Sequence, residues 1–195
     1  MRIGIFGGSF NPIHTGHAII ASHIIKSGTV DELWLMVAPQ NPLKHPIDPE
    51  LDEHRLVMAN MVAQRIPGVK VSDLEFSLPR PSYSIATLDA LAQAYPDEQF
   101  LLVIGSDNWQ IFENWRESQR IINQYGLIVY PRPGYDTIIP PHLSERVSLV
   151  NAPLIEISST AIRQMLANGQ DASFFLPDDV NQYAINNHLY EQRYN

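Results

Sequence analysis

Residues 7–17 read Gly7-Gly8-Ser9-Phe10-Asn11-Pro12-Ile13-His14-Thr15-Gly16-His17. An apolar run, Ile3 to Phe6, precedes them. Ile20, Ala21, Ile24 and Ile25 follow at helical spacing, up to Gly28. A strand, a glycine turn and a helix N-terminus in that order present backbone N–H groups and partial positive charge to an anion. Gly7 and Gly8 let the backbone approach a bulky ligand. Ser9 can donate to a phosphate, and Pro12 stiffens the turn. His14 and His17 lie i, i+3 across the loop–helix boundary, so both rings reach the same side. Imidazole donors held there stabilise a phosphoryl transition state without covalent chemistry.

Three other readings of the stretch compete with a phosphate site. The glycines do not fit G-x-G-x-x-G, and the second apolar run ends Val37-Ala38-Pro39 with no acid for a ribose, which argues against a dinucleotide fingerprint. A zinc site wants three or four protein ligands, and His14 and His17 supply two, so no metal site is assigned. A capped turn accounts for Gly, Ser, Asn and Pro. It does not account for two histidines around a glycine.

The 195 residues suffice for one domain with a full core, so 1–195 is expected to be a single domain. No apolar run approaches the ~20 residues of a membrane span, and Gly7-Gly8 interrupts the N-terminal run before it resembles a signal peptide. Cysteine is absent, which removes thiol catalysis and is compatible with a cytoplasmic location. The net charge of -8 argues against a nucleic-acid binder. With only 13 Lys and Arg, a cation inside a motif stands out.

Strand-length apolar runs recur at 33–38, 69–76, 100–104, 127–130 and 147–157, the last broken near Pro153. Helical patterns lie between them: 15–27, 50–65, 85–95 with Ser84 as candidate N-cap, segments within 108–124, and one ending near Gly169. A terminal helix opens at Pro177-Asp178-Asp179. Continuous apolar strands suit a parallel sheet covered on both faces. The alternation predicts one doubly wound, mostly parallel α/β fold, Rossmann-like in type. Ile157-Ser158-Ser159-Thr160-Ala161-Ile162-Arg163 forms a second strand-to-helix junction. Ser158 to Thr160 are N-cap chemistry. Arg163, one turn on, adds a guanidinium to the hydroxyls and free N–H groups, and the set suits a second phosphate.

The two junctions resemble the signatures of the H-x-G-H nucleotidyltransferase superfamily, here His14-Thr15-Gly16-His17 and Ile157 to Arg163. The nearer resemblance is to bacterial nicotinate-nucleotide adenylyltransferases, over nearly the whole chain. It rests also on Pro81-Ser82-Tyr83-Ser84, Ile104-Gly105-Ser106-Asp107, Trp115 and Arg132-Pro133-Gly134, in that order. The chain departs from the family at Asn11, where many members carry Asp. It departs again at Asn41-Pro42-Leu43-Lys44-His45, where they carry Pro-Pro-His-Lys.

The resemblance implies transfer of AMP from ATP, accompanied by Mg2+, to nicotinic acid mononucleotide. Nicotinic acid adenine dinucleotide forms and pyrophosphate leaves. His14, His17 and Arg163 would be catalytic, with His17 nearest the α-phosphate. Gly8, Ser9 and Phe10 would line the nucleotide site, Ser159, Thr160 and Arg163 would hold the β and γ phosphates, and Gly105 and Asp107 would meet the ribose. Tyr83, Ser84 and Trp115 would form the nicotinate pocket, with Lys44 and Arg132 near phosphate. The residue chemistry agrees but leaves alternatives open. Trp115 offers a flat face for an electron-poor ring or fills a core. Asp107 accepts from a ribose or caps a helix. Other superfamily members and a nucleotide sensor without catalysis are the alternative functions.

Overall fold

The computed structural model describes residues 1–39 and 48–191. Six strands form one sheet: β1 Arg2–Gly8, β2 Glu32–Val37, β3 Val69–Ser72, β4 Gln99–Gly105, β5 Leu127–Tyr130 and β6 Val147–Leu149. Their spatial order is β3-β2-β1-β4-β5-β6, and every pairing is parallel. The chain winds outward from β1 in one direction, then returns and winds in the other. The crevice beyond the C-terminal ends of β1 and β4 is therefore the topological switch point, where open α/β sheets bind ligands.

Alternate strand residues feed two cores. Phe6, Leu33, Leu35, Val37, Val103 and Ile128 pack with α1 Thr15–Lys26, α2 Asp52–Ala63, α6 Ser159–Ala167 and α7 Asp178–Asn186. Ile3, Ile5, Met36, Leu102, Ile104 and Val129 pack with α3 Ser84–Ala94 and with Phe112, Ile121 and Ile122. Those last residues flank short elements, α4 Ser106–Gln110 and α5 Ser118–Arg120, which runs into a π-helical turn, Ile121–Tyr125. Side chains alternate across a strand, so a sheet with apolar residues on both faces has helices on both. This is the doubly wound fold expected from the sequence. Among the described residues no helix is long and apolar enough to cross a membrane.

Several boundaries differ from the expected ones. The third strand stops at Ser72, and Leu74–Ser77 form a 3-10 turn. β3 pairs only with β2 residues Leu33 to Met36, and a strand lasts only while it has a partner. The sixth strand expected within 147–157 covers its first three residues, opposite Leu127 to Val129. Ser84 is the first residue of α3 and Tyr83 its cap position. Pro177 caps α7 from outside the helix, and Ser27, ahead of Gly28 with φ 69°, caps α1.

Candidate active site

The loop from Ser9 to His14 crosses the mouth of the crevice, and its carbonyls point at donors from distant elements. Ser9 O accepts from Arg55 Nη1 at 2.6 Å, Asn11 O from Arg163 Nη1 at 2.7 Å, and Pro12 O from Ser159 Oγ at 3.0 Å. In a trans peptide the N–H points opposite to the preceding C=O. The N–H groups of Phe10 and Ile13 therefore face away from those donors. Arg55 is wholly buried, and it also donates to Ala38 O at 2.7 Å and Asp52 Oδ1 at 2.6 Å. It thereby ties the ends of β1 and β2 to the start of α2. Phe10, expected to line the nucleotide site, has a core side chain, 1% exposed, folded under Gly8. A Cβ at Gly8 would lie 2.8 Å from its ring. What Phe10 can offer a ligand is its backbone.

His14 and His17 stack, with ring centroids 3.7 Å apart and planes at 26°. The His14 backbone N–H donates to His17 Nδ1 at 3.2 Å. His17 Nδ1 therefore keeps its lone pair, and the neutral ring carries its proton on Nε2. Burial, then the charge of Arg132, pushes His14 down to about 4, so it is neutral at pH 7. His14 Nδ1 is buried and has no partner among the described residues. Gly16 makes room for the stack: a Cβ there would lie 3.0 Å from His14 Nδ1 and 3.1 Å from Ile155 Cγ2.

Two compartments meet at Phe6 and Tyr130, whose rings touch edge-on at 5.6 Å. The smaller is lined by His14, Gly16, His17, Arg132, Ile155 and Ile157. The larger, with a volume of about 210 Å³, is lined by Gly7, Gly8, Tyr83, Ser84, Gly105, Asn108, Trp115 and Arg116, with Glu75 and Ser82 behind. Trp115 rests against Phe112, its ring centroid 5.4 Å away, and its indole N–H is buried without a partner among the described residues. At the start of α4, Ser106 Oγ accepts from Arg132 N at 2.8 Å, which holds the Arg132-Pro133-Gly134 turn beside the Gly105-Asp107 turn. Arg132 Nε lies 3.7 Å from Asp107 Oδ1.

Apart from Ser9, Phe10 and Asp107, placed above, the expected residues line a compartment, grip the loop or lie outside the described residues. His14, His17 and Arg132 line the small compartment, and Gly8, Tyr83, Ser84, Gly105 and Trp115 the large one. Ser159 and Arg163 grip the Asn11-Pro12 backbone instead of lining either compartment, and Arg163 Nη2 also reaches Thr160 Oγ1 at 3.3 Å. Lys44 lies outside the described residues. Four residues had gone unnoticed in the sequence: Arg55, Glu75, Arg116 and Tyr190. Arg116 sits with its guanidinium 5.1 Å over the Tyr83 ring. Glu75 accepts from Ser82 Oγ at 2.8 Å and Thr87 Oγ1 at 2.7 Å, so it braces the loop that carries Tyr83 and Ser84. Its pKa is raised by burial, against the pull of those two hydroxyls. No local signal singled out Glu75, since Lys70, Ser72 and Asp73 are polar in the same stretch.

Comparison with known proteins shows the family and the fold. The cytidylyltransferase-like family model matches residues 5–165. A Bacteroides fragilis protein named "Probable nicotinate-nucleotide adenylyltransferase" is 47% identical over 175 residues, 90% of this chain and 87% of the relative. A Bacteroides thetaiotaomicron protein of the same name is 45% identical, over 94% of this chain and 90% of the relative. The solved Plasmodium falciparum nicotinic acid mononucleotide adenylyltransferase complexed with NaAD superposes with a TM-score of 0.77 at 20% identity, over 97% of each chain, and so shares the fold. The chain belongs to the nicotinate-nucleotide adenylyltransferase family within the cytidylyltransferase-like group.

Proposed function

We propose that the protein transfers the adenylyl group of ATP to nicotinic acid mononucleotide, in NAD biosynthesis. A phosphate oxygen of the mononucleotide attacks the α-phosphorus of ATP. The bond from α-phosphorus to the bridging oxygen of the β-phosphate breaks. Nicotinic acid adenine dinucleotide forms and pyrophosphate departs. The attacking group is already anionic at neutral pH, so the protein's main tasks are alignment and charge screening.

The observation that carries this reading is the pair of compartments joined at Phe6 and Tyr130. The imidazole side suits a polyphosphate. A Tyr83, Ser84 and Trp115 side suits an aromatic acceptor. On this reading His17 Nε2–H and neutral His14 donate to oxygens around the α-phosphorus. The outward N–H groups of Phe10 and Ile13 meet the phosphate chain. Arg163, Ser159 and Thr160 act at the β and γ phosphates, partly by holding the loop they already grip. Gly105 and Asp107 face the ATP ribose. Trp115 stacks on the pyridine ring, and Arg132 and Lys44 neighbour phosphate.

Among the described residues no three His, Cys, Asp or Glu side chains gather as a metal-ligand group. The residues present therefore suit Mg2+ carried by the ATP phosphates better than a resident ion. Mg2+ is usually held by substrate phosphates, water and one or two carboxylates, and it would supply charge neutralisation on the leaving pyrophosphate. The reading is tested by incubating protein, ATP, Mg2+ and one acceptor at a time and measuring pyrophosphate. Nicotinic acid mononucleotide should support release. Release with phosphopantetheine alone, or ATP binding with no release, would replace this reading by another superfamily activity or by a sensor.

A further inference from the structure

The loop between Ser9 and His14 is also held from the far end of the chain. After α7 the backbone passes through the left-handed region at His188, φ 52°, and again at Tyr190, φ 68°. Bulky residues adopt that region rarely. Between them, Leu189 N–H donates to Ala184 O at 2.9 Å and the leucine side chain is buried in the core. Tyr190 then turns inward, and its hydroxyl donates to Asn11 Oδ1 at 2.7 Å. Burial raises the phenol pKa, opposed by the charges of Arg163 and Arg55 nearby, so the hydroxyl stays a donor. Asn11 is 7% exposed. Its side-chain oxygen is held by Tyr190 and its backbone oxygen by Arg163.

We propose that Tyr190 is a positioning residue of the nucleotide site: its hydroxyl locks Asn11, and through Asn11 the backbone whose N–H groups face the phosphates. The proposal rests on the assignment of that loop to ATP. It makes the segment after α7 part of the site. A backbone forced left-handed at a tyrosine persists only where the surroundings over-determine it. Here the hydrogen bond to Asn11 and the buried Leu189 do so.

Tyr190→Phe keeps the ring and its packing and removes the donor. ATP–Mg2+ affinity, measured by calorimetric titration, should fall about 5- to 10-fold, the scale of one lost hydrogen bond. Affinity for nicotinic acid mononucleotide should hold. Asn11→Ala should show the same selective loss, and the double variant should be no weaker for ATP than the weaker single variant. ATP affinity equal to wild type in Tyr190→Phe would overturn the proposal, whatever the change in Tm. So would equal losses for both ligands, or additive losses in the double variant. Wild-type pyrophosphate release is measured in parallel. Its absence removes the adenylyl-transfer reading, while the ATP titration still decides the role of Tyr190.

Discussion

The imidazoles of His14 and His17 lie face to face, 3.7 Å between centroids, and the backbone N–H of His14 holds His17 Nδ1. One residue's backbone thus sets the other's tautomer, and one ring sets the other's orientation. The His14 ring leaves little room at Gly16, where a Cβ would lie 3.0 Å from Nδ1. The pair forms part of a partly buried wall, with His17 edge-on to Phe6 and Phe10.

Replacing His17 with Ala removes the Nε2–H donor. Turnover should fall by ~10²-fold or more, as for other single donors to a developing phosphoryl or acyl charge. Circular dichroism should show the fold retained. Steady-state pyrophosphate assays check the rate, and unchanged kcat would remove His17 from the reacting centre.

Gly16→Ala separates helix propensity from site geometry. Alanine favours a helix over glycine by ~1 kcal/mol. Its Cβ would nevertheless press on His14 Nδ1 and Ile155 Cγ2, at 3.0 and 3.1 Å. The ring stack must shift by a few tenths of an ångström, and kcat should drop about 10-fold because displaced catalytic groups lose alignment. Full activity in this variant would show that the stack has slack.

His14 gives a pH signature. Its folded pKa is about 4, against about 6.5 in an unfolded chain. Between these values the unfolded chain takes up a proton that the folded chain refuses. The contribution is complete above about pH 6.5 and is lost as pH falls toward 4, by of order 3 kcal/mol. Urea unfolding across that range should show a flatter pH dependence in His14→Asn than in wild type. Identical slopes would mean that His14 is not buried as a neutral ring.

Trp115→Ala should raise the KM for the mononucleotide about 10-fold and leave that for ATP within about 2-fold, since a flat face is removed from one compartment only. Equal losses would identify Trp115 as packing for both compartments. The variant's Tm reports its contact with Phe112 separately.

Much of this architecture was legible in the residues themselves. Buried parallel strands read as unbroken apolar runs, so β1, β2, β4 and β5 stood out, and His14-Thr15-Gly16-His17 is local. Arg55 and Tyr190 did not stand out, because their roles come from partners distant in the chain. Tyr190 meets Asn11 across 179 positions, and Arg55 meets Ser9 across 46. Arg163 carried a local signal, but its hold on Asn11 O is equally non-local. The end of β3 was misjudged because the residues themselves do not show where pairing with β2 stops.

The most direct test compares kcat/KM for pyrophosphate release with nicotinic acid mononucleotide, nicotinamide mononucleotide and phosphopantetheine, under identical ATP and Mg2+. The account predicts that nicotinic acid mononucleotide is used best, with phosphopantetheine inert. Phosphopantetheine as the preferred acceptor, or no release with any of the three, would contradict it.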